Sequence, residues 1–337
     1  MLTARTHSES EFRLIEVSGR QRRPDIRRHY YPEALLSRDT LKTLKLFVAM
    51  IMLSSSSLAA AKLNVFACEP EWAALTQEIA TDRVNISTAI SADQDPHQVQ
   101  ARPSLISAVR QADLVFCTGA ELEIGWLPVL LSRAANPKVQ NAPGLFYATD
   151  QVSLIEKPAS VDRAHGDVHA AGNPHMHLDP YRVAIVAEAL TERLGNLDPA
   201  NRIHYQHQLE LFLTRWRASI AQWEFRAAGL KGSAVVVHHR SFSYLLNWLG
   251  MHAVAEMEPK PGIPPSPKHL AEILETVETE NVRLILFTSF NGNQAANWLA
   301  KRSGACAVQL PFSHEQSLFD LYSQLIDTLT SKQDQCL

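Results

Sequence analysis

The sequence predicts an α/β protein with two Rossmann-like lobes, each a mostly parallel sheet flanked by helices, joined by one long rigid strut helix. Three observations predict this fold. Short apolar runs alternate with helical patterns in residues 62–117, and the same alternation returns in residues 234–329. The intervening stretch after Pro199 contains no Gly or Pro before Gly229. Strands that alternate with helices are typical of βαβ units and parallel sheets.

The elements of each lobe are predicted from apolar periodicity. In the first lobe they are, in order, a strand over 62–68, a helix over 72–80, a strand over 84–90, a helix over 104–112 and a strand over 112–117. In the second lobe they are a strand over 234–237, helices over 242–249 and 267–278, a strand over 282–287, a helix over 294–303, a strand over 305–310 and a helix over 318–329.

Between the lobes, a helix over 179–194 precedes a longer helix from Pro199 to about Leu230. Asp198 suits the N-cap of the longer helix, and Pro199 suits its first position. Thirty residues of α-helix extend about 45 Å, which predicts a strut rather than a hinge. The predicted organisation is an N-terminal extension plus signal peptide over 1–61, a first lobe over 62–197, the strut over 198–230 and a second lobe over 231–337.

The composition argues against several classes of protein. Apolar residues make up 46% of the 337 residues and charged residues 20%, which suits folded domains with real cores rather than a disordered chain. The formal net charge is -3, so the chain does not favour nucleic acid or an anionic membrane surface as a partner.

The N-terminal region has the pattern of an export signal. Lys42 and Lys45 precede the apolar stretch 46–53, and small residues follow up to Ala61. The apolar stretch is too short to span a bilayer. We therefore expect cleavage near Ala61 and a periplasmic location.

The four cysteines fall into two pairs along the chain. Cys68 and Cys117 lie near the ends of strands in the first lobe, and Cys306 and Cys336 lie in the second. An exported protein can form disulfides, so two bridges within the lobes are expected, although the sequence leaves their connectivity open.

Several histidines lie in loops next to predicted strands. His97 comes after the second strand, and His238 and His239 come directly after the strand over 234–237. His175 lies in the loop before the helix over 179–194. Ligands bind at the carboxyl ends of strands in open α/β sheets, and neutral imidazole is the commonest zinc ligand. These loops are therefore candidates for one metal site between the lobes.

Several sequence motifs follow one another in order. They are Asp-Pro-His at 95–97 with Arg-Pro-Ser at 102–104, the stretch 112–126, Asn-Pro-His at 173–175 with Leu-Asp-Pro at 178–180, the run 239–244, and Pro-Pro-Ser-Pro at 264–267. With the signal pattern and the strut helix, they resemble the zinc/manganese class of ABC-importer substrate-binding proteins. The resemblance covers nearly all of residues 62–330.

The resemblance implies a function and a ligand set. His97, His175 and His239 match the metal ligands of the family, with His238 as the alternative to His239. The implied protein is not an enzyme but a monomeric, extracytoplasmic, high-affinity binder of Zn²⁺ as transported ligand. It would deliver the metal to an ABC permease in the inner membrane, and a periplasmic zinc chaperone is a further candidate partner. Three imidazoles favour zinc or copper over manganese.

The fourth ligand stays open, because residues 308–311 lack the late Asp of the family. The candidates are water, Glu69, Glu71, His314, Glu315 and Asp320. His177 is expected to point away from His175 on an extended segment. His165, Asp167 and His169 are interpreted as a short metal-capture loop, with an ordinary polar surface loop as the alternative.

Two other functions remain open. One is a binding protein for a chelated metal or another small cargo. The other is a three-His zinc hydrolase, since three histidines and a water also form catalytic zinc sites. No His-Glu-x-x-His spacing supplies a general base for the hydrolase.

Overall fold

Two parallel sheets flanked by helices confirm the predicted fold class. A computed structural model describes residues 62–158, 169–260 and 262–336. The signal peptide predicted within 1–61 lies outside these residues, and so do His165 and Asp167 of the predicted capture loop.

Both sheets have the same strand order. The first contains β1 (Leu63–Ala67), β2 (Val84–Thr88), β3 (Leu114–Cys117) and β4 (Leu145–Tyr147), in the order β2-β1-β3-β4. The second contains β5 (Ala234–Val237), β6 (His252–Glu256), β7 (Leu284–Phe287) and β8 (Cys306–Gln309), in the order β6-β5-β7-β8. Every residue of β3 and β7 is buried, as continuous apolar runs in parallel sheets require. The chain reverses direction across each sheet beside β1 and β5, where ligand crevices form.

The helices cover the faces of the sheets and connect them. They are α1 (Pro70–Ala80), α2 (Pro103–Gln111), α3 (Leu127–Ala134), α4 (Pro180–Leu197), α5 (Arg202–Ala227), α6 (Ser243–Leu249), α7 (Pro267–Thr279), α8 (Gln294–Ser303) and α9 (Leu318–Gln335). Proline begins α1, α2, α4 and α7, where its missing N–H has no helical partner to lose. Within the described ranges, no helix is long and apolar enough to cross a membrane.

The predicted strut consists of three segments. A 3₁₀ turn over Pro199–Asn201 leads into α5, and a second turn over Ala228–Leu230 follows it. The 26 residues of α5 extend about 39 Å. The side chain of Asp198 does not cap a backbone N–H, contrary to the prediction. Its carboxylate instead accepts hydrogen bonds from the Asn201 amide at 2.6 Å and the Tyr205 hydroxyl at 2.7 Å.

One apolar core runs along α5 and continues into both lobes. The helix packs against α1 and α4 on the side of the first sheet and against α9 on the side of the second. The Trp216 indole donates to the carbonyl of Pro180 at 2.8 Å, and its ring lies 5.2 Å from that of Tyr322 on α9. Trp223 stacks on Tyr322 at 5.0 Å. The strut is therefore bonded to both lobes.

The structure resolves the pairing of the cysteines. Cys68 is bonded to Cys117, which joins the end of β1 to the end of β3. Cys306 is bonded to Cys336, which joins β8 to the residue directly after α9. Each bridge lies within one lobe, as expected.

We predict that Trp216→Ala lowers the free energy of unfolding by about 3–5 kcal/mol, because it removes a buried ring that contacts both lobes. Chemical denaturation of the mature chain measures this loss. Phe225→Ala is the matched control on the same helix, since Phe225 is 85% exposed; its effect should stay within about 0.5 kcal/mol. Equal losses in the two variants would contradict a core shared along the strut.

Candidate metal centre

Three histidines from both lobes converge between the sheets. His97 follows β2, His175 precedes α4 and His239 follows β5. One ring nitrogen of each lies within 4.8 Å of the others. The ring centroids are 5.7 Å apart for His97 and His175, 5.6 Å for His175 and His239, and 6.0 Å for His97 and His239. The spacing suits a single small cation between the rings.

His97 is oriented by Asp95 within a tight loop. The Asp95 carboxylate accepts from both the backbone N–H and the Nδ1 of His97 at 2.9 Å. The Trp126 indole fixes the same loop by donating to the Pro96 carbonyl at 2.9 Å. Burial alone would raise the pKa of Asp95, but hydrogen bonds from His97 outweigh it and lower the pKa. Asp95 therefore stays charged and directs Nε2 of His97 towards the centre.

His175 is held by Asn173, which bridges the two lobes. The Asn173 side chain accepts from the backbone N–H of His175 at 2.9 Å and donates to the Arg240 carbonyl at 2.9 Å. The Tyr244 hydroxyl donates to the carbonyl of Asn173 at 2.8 Å. Asp179 caps α4 by accepting from the backbone N–H of the next two residues after Pro180. The Asn-Pro-His and Leu-Asp-Pro motifs thus form one loop with a fixed exit into a helix.

The ring of His175 has the strongest requirement for a ligand. Its side chain is 1% exposed, and neither ring nitrogen has a hydrogen-bond partner. Burial, followed by the neighbouring His239 and His97, lowers its pKa well below the ordinary value. An unpaired buried polar group is costly, so a bound cation would stabilise this ring. The donor set therefore fits a metal ion.

His239 is oriented by Glu258, which follows β6. The Glu258 carboxylate accepts from Nδ1 of His239 at 2.8 Å and lies 3.6 Å from Nε2 of His238. Burial would raise the pKa of Glu258, but hydrogen bonds from these two histidines lower it to about 2. The charged carboxylate therefore holds the ring of His239 in place through Nδ1.

A fourth imidazole, that of His169, lies next to His97 but outside the group of ring nitrogens within 4.8 Å of one another. Its Nε2 is 3.3 Å from Nε2 of His97, and its ring centroid is 6.4 Å from that of His175. Burial and the nearby His97 lower its pKa to about 4. His169 is the described member of the predicted capture loop.

The carboxylates that follow β1 are engaged elsewhere. Glu69 is buried and accepts from the backbone N–H and the hydroxyl of Thr118 at 3.2 and 3.0 Å. The buried Glu123 carboxylate lies close by and accepts from the same Thr118 backbone N–H at 2.8 Å. Burial raises the pKa of Glu69 well above its ordinary value and that of Glu123 to about 7. Burial therefore favours the neutral form of both carboxyl groups.

Glu71 and His177 of the first lobe contact Ser313 and Phe312 of the second lobe. Glu71 accepts from the Ser313 hydroxyl at 2.5 Å and lies 3.5 Å from Nδ1 of His177. The other ring nitrogen of His177 lies 2.9 Å from the carbonyl of Phe312. His177 thus makes its own contacts rather than joining the three converging rings.

The remaining candidates for the fourth ligand, and His238 as the alternative to His239, have other positions: Glu315 and Asp320 are exposed, His314 is half-buried and His238 is buried. Glu315 accepts from the backbone N–H of Ala92 at 2.7 Å, and Asp320 is an exposed residue in the first turn of α9. His314 accepts from the backbone N–H of Ser317. His238 lines the cavity described next and has an unpartnered Nδ1. Among the described side chains, the group of histidine nitrogens within 4.8 Å of one another contains none of these four.

A cavity of about 570 Å³ adjoins the histidines. Most of its lining comes from the second lobe and combines apolar rings with amides, including Phe290, Trp298, Phe312, Asn291 and Gln294. The cavity is much larger than a single ion needs.

Sequence reasoning missed Glu258 and did not place His169 beside His97. Glu258 follows β6, a five-residue strand of small alternating residues that was not predicted. Its position after a strand next to β5 is the signal that could have found it. The proximity of His169 to His97 had no local signal, because 72 residues separate them.

Comparisons with known proteins identify the family and agree with the fold. The family described as zinc-uptake complex component A, periplasmic, matches residues 65–332. The zinc-binding lipoprotein AdcA of Streptococcus pneumoniae is 24% identical over 259 residues, which cover 76% of this chain and 51% of that protein. The manganese ABC transporter substrate-binding lipoprotein PsaA of the same species is 25% identical, covering 68% and 73%. The chain spans about half the length of several curated relatives that it matches.

Solved structures show the same fold. A crystal structure of ZnuA superimposes with a TM-score of 0.69 at 21% identity, covering 82% of this chain and 99% of that one. A manganese-bound periplasmic metal-binding protein from Candidatus Liberibacter asiaticus gives a TM-score of 0.67 at 20% identity, covering 82% and 100%.

We predict that the pKa of His175 in the metal-free protein lies well below the ordinary imidazole value, because burial opposes its charged form. Histidine-ring NMR spectra of the folded chain, assigned with a His175→Gln variant, follow its titration. The unfolded chain in urea is the control, where the ring should titrate near about 6.5. Protonation of the folded ring near that value would contradict the burial of this ligand.

Proposed function

Since the chain belongs to the zinc-uptake complex component A family, we propose that it binds zinc with high affinity outside the cytoplasm and delivers it to an ABC importer. The observation that carries this proposal is the convergence of His97, His175 and His239 from both lobes, with ring nitrogens within 4.8 Å. A cation held by all three would tie the two halves of the protein together.

The donor chemistry supports zinc as the cargo. Relatives are named for zinc and for manganese, so kinship alone does not decide the metal. Imidazole nitrogen suits zinc and copper, whereas manganese prefers oxygen donors. Asp95 and Glu258 hold His97 and His239 through Nδ1 and are therefore outer partners rather than the oxygen ligands that manganese would prefer.

The proposed partner is the permease of an ABC importer in the inner membrane, with a periplasmic zinc chaperone as a further candidate. The printed name of one relative, an ABC transporter substrate-binding lipoprotein, supports an importer. We propose a periplasmic monomer whose signal peptide is cleaved near Ala61. No nucleic acid is proposed as a partner, in keeping with a formal net charge of -3.

The proposed working units are the lobe over 62–197, the strut over 198–230 and the lobe over 231–337. The apolar core that continues along α5 supports small movements of the lobes rather than a wide hinge. Loading would then depend on side chains and loops near the histidines. Within the proposed capture loop, His165 and Asp167 would speed metal entry without setting the equilibrium affinity.

Two alternative functions differ in what supports them. A chelated metal or another small cargo has the cavity of about 570 Å³ in its favour. A three-His hydrolase needs a free general base. Asp95 and Glu258 both accept hydrogen bonds from ring nitrogens of the site, which argues against that role. We therefore propose that the protein is not an enzyme.

We predict that the mature chain binds one zinc ion tightly and that His97→Ala, His175→Ala and His239→Ala each weaken binding about tenfold or more, as loss of a ligand must exceed loss of an outer partner. The measurement is competition between the metal-stripped protein and a calibrated zinc indicator, repeated with copper and manganese.

His207→Ala is the matched control, because His207 is an exposed histidine on α5. Its zinc affinity should equal that of the wild type. Absence of tight zinc binding in the wild type would overturn the proposal and favour a chelated cargo. The same titration, repeated with zinc in the presence of free histidine as the chelator, would then detect binding of the chelate.

A further inference from the structure

We propose that His169 is the fourth zinc ligand, so that four imidazoles and no carboxylate hold the ion. This inference rests on the proposed function and changes the role of His169 from a transient capture residue to a permanent part of the site. The first lobe would then supply three ligands and the second lobe one.

The spacing of His169 and His97 matches a shared zinc ion. Two nitrogens that bind one zinc at about 2.0–2.1 Å in a tetrahedron lie about 3.3–3.4 Å apart. The two Nε2 atoms are 3.3 Å apart. This pair is already at the separation that coordination requires, whereas the ring nitrogens of His97, His175 and His239, which lie within 4.8 Å of one another, would have to move closer together around the ion.

The hydrogen bond behind His97 prepares its other nitrogen to face a donor or a cation. Nδ1 of His97 donates to Asp95, so Nε2 of the neutral tautomer carries a lone pair. Nε2 of His169 lies 3.3 Å from it and makes a hydrogen bond to it in the metal-free protein. A cation between the two Nε2 atoms would take the place of that shared proton.

The backbone around His169 is fixed rather than free. The N–H of Ala170 donates to the Glu121 carboxylate at 2.9 Å, and the carbonyl of His169 accepts from the N–H of Gly172 at 3.2 Å. Gly172 has a φ of +124°, and an added Cβ would lie 2.8 Å from the carbonyl of Ile155. Only glycine permits this close approach, so the segment after His169 is held against the first lobe.

A strained turn presents the partners of His169. Gly119, Ala120 and Glu121 have φ values of +89°, +49° and +68° in succession. Two of these are not glycine, and left-handed non-glycine residues cost free energy that surrounding structure must offset. The turn aims the Glu121 carboxylate at the backbone N–H of Ala170, the residue directly after His169. This contact fixes the backbone next to the histidine, which is consistent with a positioning function.

Four nitrogen donors define the selectivity of the proposed site. Glu69 and Glu315 accept hydrogen bonds from backbone N–H groups elsewhere, and Asp320 is exposed on α9. A tetrahedral N₄ site suits zinc and excludes the higher oxygen coordination that manganese prefers. Residues 308–311 of the second lobe lack the late Asp of the family, and the imidazole of His169 from the first lobe would take the place of that ligand.

The test compares wild type, His169→Ala and His207→Ala as full mature chains. We expect His169→Ala to weaken zinc binding by about tenfold or more, as loss of a metal ligand does, while His207→Ala keeps wild-type affinity. The Co²⁺ forms provide a count of ligands that does not depend on affinity. Each coordinated imidazole contributes a hyperfine-shifted ring N–H proton in the NMR spectrum, and His169→Ala should lose one such signal and its tetrahedral N₄ visible spectrum.

A second variant tests the positioning of the ring. Glu121→Gln keeps the size of the side chain but weakens the contact to Ala170, and it should reduce zinc affinity by up to about tenfold with the Co²⁺ ligand count unchanged. Without metal, the variants should have the melting temperature of the wild type. His169 is only half-buried, so its side chain contributes little to the core.

The outcomes separate this inference from the proposed function. Unchanged zinc affinity and an unchanged Co²⁺ spectrum in His169→Ala, with tight binding in the wild type, would overturn the role of His169 alone. Failure of the wild type to bind zinc, or of His239→Ala to weaken it, would overturn the proposed function itself.

Discussion

The packing of α5 against both lobes sets the separation of the two sheet edges from which the histidine loops extend. Its aromatic residues contact α9 on one side, and the Trp216 indole reaches the first residue of α4 on the other. Because interiors are close-packed, this contact cannot stretch without opening a void. The lobes therefore face each other at a nearly fixed distance, and His97, His175 and His239 meet across it without a wide closure.

Charge balance is the second constraint on the site. Asp95 and Glu258 remain ionised and stand behind two of the rings, so together they carry two negative charges. A divalent cation at the centre would make the buried unit neutral, which limits the cost of removing charge from water. The neighbouring pair Glu69 and Glu123 contributes less charge, because burial raises both pKa values. The two negative charges therefore favour a divalent cation at the centre over a monovalent cation and over no cation.

The sequence predicted most of the fold, because long apolar runs and long helices have strong periodic signals. It missed β4, β6 and α3, which are three, five and eight residues long and too short for such signals. It also brought forward His97, His175 and His239, since each lies in a motif next to a predicted element. The relation of His169 to His97 is purely tertiary: it depends on the turn at Gly119–Glu121 and on Gly172, whose left-handed conformations no local pattern announces.

The proposed division of donors between the lobes is unequal, and this has a consequence for unloading. His239 is the single donor from the second lobe, and it is oriented by one carboxylate from the loop after β6. The donors of the first lobe are tied to several anchored loops. A docking partner that draws the loop after β5 aside would break one coordinate bond first and leave a vacant position beside the cavity. An incoming donor could occupy that position before the next bond breaks, so the ion would pass by stepwise exchange and would never be bare.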